Sequence, residues 1–212
     1  LAPQNITDIE NNFDPNLCET DTDLNDLAKK LLDSKHRQFS LLLYGASGAG
    51  KSQYIKYLAD LMGLKIISYS FSDLISKWHG ESEKQIAEAF KKASEEGGFL
   101  VFDEADSLLT DRAGSNVTDY RISEVNELLL HMESYKYPFA CTTNLFDKID
   151  KAALRRFIFK IKFKYLSKDK LKYTYEHFFK TPAPEALLNT GGLTPGDFSV
   201  VKKKHNPRCR KR

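Results

Sequence analysis

The chain has 212 residues, 41% of them hydrophobic and 29% charged, and a formal net charge of only +3. That composition supports one globular core with a small appended unit and excludes a disordered chain. Residues 202–212 hold seven Lys or Arg and no acid, so the body is net negative, which points away from nucleic acid as a partner.

The first 22 residues are polar, rich in Asn and Asp, and read as an irregular lead-in. Leu24, Leu27, Ala28, Leu31 and Leu32 then fall at i, i+3, i+4, i+7 and i+8, the stripe of a short amphipathic helix over 23–32. Short apolar runs predict strands at 39–44, 65–69, 99–103, 139–142 and 157–163. Helical patterns fall at 51–62, 83–95, 117–132, 151–154 and 168–180. Continuous apolar strands alternating with helices imply an α/β fold: a five-stranded parallel sheet covered on both faces, a three-layer α/β/α sandwich. Strand signals stop after Tyr165. The expected organisation is a core over 1–165, a small helical unit over 166–201 and a basic tail over 202–212, the tail reading as a solvated charge run.

No apolar run approaches the roughly 18 residues of a membrane span, and the opening residues lack the charged and apolar regions of a secretory leader. Cys18, Cys141 and Cys209 form no C-x-x-C pair and have no His at ligand spacing. Reduced thiols in a cytoplasmic setting are therefore expected, without zinc.

Gly45-Ala46-Ser47-Gly48-Ala49-Gly50-Lys51-Ser52 fits G-x-x-x-x-G-K-[ST] and lies between a predicted strand and a predicted helix, the context that this phosphate-binding loop requires. Small residues let main-chain N–H groups close around phosphates, and the helix N-terminus adds a favourable dipole. Lys51 is expected to reach the β and γ phosphates of ATP, and the Ser52 hydroxyl to ligate Mg²⁺. The apolar strand 99–103 ends in Asp103-Glu104. Asp103 is placed to hold Mg²⁺ opposite Ser52. Glu104 is placed to orient and deprotonate the attacking water, a role worth about 10²–10⁴-fold in rate. Asp103-Glu104-Ala105-Asp106 also spells the motif of DEAD-box RNA helicases. Those enzymes need two tandem domains and a Ser-Ala-Thr segment, whereas this chain has Thr142-Thr143-Asn144 after the following strand.

Residues 39–201 resemble the AAA family of ATPases, on these two motifs and three further blocks. Lys77-Trp78-His79-Gly80-Glu81-Ser82-Glu83 looks like the family's pore loop, in which an aromatic, here Trp78 followed by His79 and Gly80, grips a polypeptide. Cys141-Thr142-Thr143-Asn144 is similar to the sensor-1 segment, which implies that Asn144 bonds the attacking water or the γ-phosphate. Ile149 to Phe157 resembles the second region of homology, and its adjacent Arg155 and Arg156 match the arginine fingers of the spastin-like branch. Gly191 to Phe198 is similar to a segment of the helical lid, and His177 to a lid histidine near the ribose.

The resemblance implies an ATP- and Mg²⁺-dependent ATPase. Its assembly would be a head-to-tail ring, a hexamer by family habit, that remodels or unfolds a protein substrate. The alternatives are a nucleotide-dependent switch without translocation and a DNA-directed member of the superfamily.

Overall fold

The computed structural model describes residues 13–34, 38–70, 74, 81–106 and 119–205. A single 3-10 turn at Pro15–Leu17 precedes β1 (Glu19–Thr20) and α1 (Leu24–Asp33). Asp23 caps α1, its carboxylate accepting from the N–H groups of Asn25 and Asp26, so the helix starts one residue after the predicted boundary. The alternating core follows: β2 (Ser40–Gly45), α2 (Lys51–Met62), β3 (Ile66–Ser70), α3 (Glu81–Glu95) and β4 (Phe99–Asp103). Next come α4 (Asp119–Ser134), β5 (Phe139–Thr143), α5 (Lys151–Arg156) and β6 (Phe159–Lys164). Gly63, in the left-handed conformation, stops α2 and donates to Ala59 O. Three helices close the described chain, α6 (Lys168–Phe179), α7 (Glu185–Leu188) and α8 (Pro195–His205).

The strands form one sheet in the order β1-β6-β2-β5-β4-β3. All five predicted strands are present and run parallel. A sixth, β1, pairs antiparallel with β6, Glu19 opposite Lys164 and Thr20 opposite Phe163, which makes the sheet mixed. Two polar residues carry no alternating signal, so pattern alone does not reveal this strand. It is held by Asp21, whose carboxylate accepts from Lys162 N (2.9 Å) and whose N–H donates to Lys162 O (3.2 Å).

Central β2 explains why its sequence is a continuous apolar run. Leu41, Leu42 and Leu43 are all fully buried, because successive side chains enter opposite faces of a sheet covered on both sides. Leu42 joins Ile86, Phe90, Phe102, Leu128 and Phe139 beneath α3 and α4. Leu41 and Leu43 join Leu27, Tyr54, Leu58 and Phe163 beneath α1 and α2. Tyr54 is buried there because its hydroxyl donates to Leu24 O at 2.8 Å, which avoids an unpaired polar group in the core. A separate small core of Leu166, Leu171 and Phe198 holds α6 to α8 together, with Tyr175, Phe178 and Phe179 packed around it. Cys18 and Cys141 are free thiols, both buried. Among the described residues no helix is long and apolar enough to cross a membrane.

Candidate functional site

The five parallel strands finish at one edge of the sheet, where the loops after β2, β4 and β5 converge. Open α/β sheets bind ligands outside such carboxyl ends. Here they border a cavity of about 700 Å³, within the range of small-molecule sites. The loop from Gly45 to Ser52 forms its floor. Gly50, at φ +106°, is the residue from which α2 begins, and a side chain there would run into Cys18 Sγ.

Lys51 is only 8% exposed, and its Nζ donates to Gly45 O (2.8 Å), Ala46 O (2.9 Å) and Asn144 Oδ1 (2.8 Å). Burial pushes its pKa down, against the pull of Asp103 and Asp106. Its three N–H bonds are satisfied by neutral oxygens, so the charge is bonded but not neutralised; a phosphate group would do both. Ser52 Oγ stands 3.2 and 3.1 Å from the two carboxylate oxygens of Asp103. A hydroxyl and one carboxylate are hard oxygen donors that suit Mg²⁺, which is bound by one or two carboxylates together with substrate phosphates. Among the described residues no cluster of three or more His, Cys, Asp or Glu offers an all-protein metal cage. The donor set therefore fits magnesium delivered with a nucleotide.

Two threonines of β5 tie the acidic strand end to the loop after β5. Thr142 Oγ1 donates to Asp103 Oδ1 and accepts the Glu104 N–H at 3.1 Å. Thr143 Oγ1 donates to Asp106 Oδ1, which also accepts the Asn144 N–H at 2.8 Å. Asn144 is thus fixed by its main chain while its side chain meets Lys51. Glu104 faces the same cavity from a left-handed backbone, φ +55°, unusual for a residue with a side chain. Thr142 and Asp106 fall within motifs read above, yet spacing gives neither of them a role. Their partners depend on the register that sets Phe102 against Cys141.

The helical unit forms the far wall. Thr194 precedes α8, and its N–H and hydroxyl both donate to Asp197 Oδ2 (2.8 and 2.9 Å), which ties the start of the helix. Gly196 N donates to Gly48 O at 2.9 Å, and a Cβ on Gly196 would lie 2.9 Å from Gly48 Cα, so the two segments touch through glycine. His177 and Phe178 of α6 line the cavity, as do Lys202 and Lys203. Those lysines, read as the start of a charged tail, lie on α8, which continues to His205; both stay exposed while bordering the cavity, with Lys202 Nζ 5.6 Å from the centre of the Phe178 ring. Phe13 and Leu17 close the side nearest the lead-in. That segment also reaches the helical unit. Tyr173 donates to Asp14 Oδ2 (2.6 Å) and Lys170 to Asn16 O (2.7 Å). Although burial opposes it, the Tyr173 and Asn16 hydrogen bonds hold the Asp14 carboxyl below its ordinary range.

Arg155 and Arg156 stand apart. Both are exposed at the end of α5, neither lines the cavity, and Arg156 pairs with Glu133 at 2.7 Å. Trp78, His79 and Gly80 lie outside the described residues.

Comparison with known proteins agrees with this geometry. Residues 41–165 match the family described as "ATPase family associated with various cellular activities (AAA)". The protein SUPPRESSOR OF K(+) TRANSPORT GROWTH DEFECT 1 of Arabidopsis thaliana is 34% identical over 171 residues, 78% of this chain and 38% of that protein. A cell division cycle protein 48 homolog of Archaeoglobus fulgidus is 38% identical over 120 residues, 54% of this chain and 16% of its own length. Fidgetin-like protein 1 of Drosophila melanogaster is 34% identical over 126 residues, 56% of this chain and 24% of its own length. The chain thus spans well under half the length of these curated relatives. A phosphate loop, an acidic strand end and a family match over more than half the chain lead to one conclusion: it belongs to the AAA family of ATPases, which work on ATP with Mg²⁺.

Proposed function

We propose that this chain hydrolyses ATP to ADP and phosphate in the cavity between its sheet edge and its helical lid, as one subunit of a head-to-tail ring that remodels or unfolds a protein. The observation that carries the catalytic part is the contact of Ser52 with Asp103 beside the Lys51–Asn144 pair. Main-chain N–H groups of residues 45–52 and the Lys51 ammonium would hold the β and γ phosphates. Ser52 and Asp103 would hold Mg²⁺, which draws charge from the phosphate oxygens. Glu104 would take the proton of the attacking water as its oxygen bonds the γ-phosphorus and the bond to the β,γ-bridging oxygen breaks. Asn144 both donates and accepts through its amide, so it can orient that water without changing charge.

The ring reading is supported by the position of Arg155 and Arg156, which line no part of their own chain's cavity. Acting as fingers, they would have to serve a neighbour's site, and heterologous contacts of this sort close into rings when the rotation permits. Six subunits, the family's habit, are proposed on the same ground. Substrate remodelling rests on the resemblance of Trp78-His79-Gly80 to the pore loop and on the family.

Lys51→Ala tests the site. Loss of the ammonium should abolish nucleotide binding in a fluorescent-ATP titration of folded protein, and unchanged affinity would remove the cavity from its role. Trp78→Ala tests the motor. ATP turnover should persist while remodelling of a folded protein substrate is lost; full remodelling would turn the reading toward a nucleotide-dependent switch.

A further inference from the structure

We infer that Thr142 is a positioning residue for hydrolysis, holding the metal-facing and the water-facing carboxylates in one arrangement from the neighbouring strand. This deepens the reading above and rests on the roles proposed there for Asp103 and Glu104.

Three successive residues at the end of the acidic strand are held by this one threonine. Its hydroxyl donates to Asp103 Oδ1, the same hydroxyl accepts the Glu104 N–H at 3.1 Å, and its carbonyl accepts the Ala105 N–H at 2.9 Å. The directions are forced by chemistry. A main-chain N–H only donates and an ionised carboxylate only accepts, so a single hydroxyl satisfies both by using its hydrogen for Asp103 and a lone pair for Glu104. Thr142 is 2% exposed, which leaves water little access as a substitute partner.

The grip on Glu104 matters because residue 104 is where the chain leaves the sheet. Its backbone adopts φ +55°, and such conformations persist in side-chain-bearing residues only where the surroundings over-determine them. Bonds to Thr142 on residues 103, 104 and 105 supply that determination. The grip on Asp103 matters for a different reason. Ser52 also bonds Asp103, and its hydroxyl can go on donating to that carboxylate while an oxygen lone pair turns to a cation. The Thr142 hydroxyl holds the same carboxylate from the neighbouring strand, so that Asp103 is fixed from two sides as it faces the cation position. Groups that orient a metal-facing carboxylate commonly affect metal affinity or activity by about 10–100-fold when removed.

The test compares Thr142→Val, which keeps the shape and loses the hydroxyl, with Thr142→Ser, which keeps the hydroxyl. Both are made in the full chain, at protein concentrations where wild-type turnover per subunit is constant. For Thr142→Val, kcat should fall by about 10–100-fold. More Mg²⁺ should also be needed to reach half of the metal's effect on fluorescent-ATP binding, with little change in metal-free affinity. Thr142→Ser should restore both quantities. Wild-type turnover and Mg²⁺ response in Thr142→Val would overturn the proposal, and so would equal defects in Val and Ser, which mark a packing role. If Thr142→Val does not fold, Thr142→Ala set against Thr142→Ser makes the same comparison. Glu104→Gln, assayed alongside, separates the two levels of inference. An inactive Glu104→Gln beside an unimpaired Thr142→Val sinks the inference about Thr142 alone, whereas near-normal hydrolysis by Glu104→Gln removes the role of Glu104 and this proposal with it.

Discussion

Glu104→Gln should retain ATP while hydrolysing it about 10²–10⁴-fold more slowly, the usual contribution of a positioned general base. The substitution is close to isosteric. The main-chain bond from Glu104 N to Thr142 Oγ1 does not depend on the side chain, so the backbone that aims residue 104 into the cavity is kept. What is lost is the ability to accept a proton, since an amide oxygen is a far weaker base than a carboxylate. Removing one negative charge from the cavity also lowers repulsion toward the anionic nucleotide, so ATP affinity should hold or rise. Phosphate release and fluorescent-ATP binding, measured on the same preparation, distinguish this from a folding defect. Near-wild-type phosphate release would assign water activation to another group. The long-lived ATP state also makes this variant the form of choice for capturing a protein substrate from solution.

Arg155→Ala/Arg156→Ala should cost about 10³–10⁵-fold in turnover, the range for arginine fingers, and leave ATP binding intact. Both side chains leave the end of α5 exposed to solvent, and the chain's own cavity contains neither. Arg156 is paired with Glu133 at the surface, an ion pair of little expected consequence for stability because it is solvated. The double substitution should therefore leave the thermal midpoint nearly unchanged while turnover collapses. A mixing experiment makes the geometry decisive. Subunits lacking both arginines have an intact Glu104, and Glu104→Gln subunits have intact arginines. Where the second presents its arginines to the first, one complete site is restored. Partial recovery of phosphate release on mixing is expected; no recovery under conditions where wild-type subunits assemble would refute action across the interface.

The sheet and the phosphate loop were legible because their residues announce themselves one at a time. Phe99-Leu100-Val101-Phe102-Asp103 is apolar on both faces because β4 is buried on both faces, and the observed strand has those limits. The loop of residues 45–52 is legible because closeness to phosphate demands small residues in fixed order. Features that depend on two distant segments were not legible. Glu19 and Thr20 form a strand by pairing with β6, and Asp21 beside them bonds Lys162, 141 residues away. A threonine at 142 carries no chemistry of its own until the register sets it beside Asp103. The charge run at Lys202–Lys204 resembles any solvated tail, and the place of Lys202 and Lys203 at the rim of the cavity follows from α8 being docked through Gly196 on Gly48. Composition describes what a segment tolerates; contact across the chain decides what it does.

The pairing order has a consequence for how the molecule is made. Strand β2 lies between β5 and β6, with Leu41 opposite both Ala140 and Phe159, so the strand that launches the phosphate loop gains both lateral partners only after the chain has extended past residue 160. Closing a loop of this length costs configurational entropy before any contact offsets it, and parallel topologies with such distant partners are slow to form. A nascent chain emerging from a ribosome therefore holds Leu41-Leu42-Leu43 without both strand partners until almost the whole core has been synthesised.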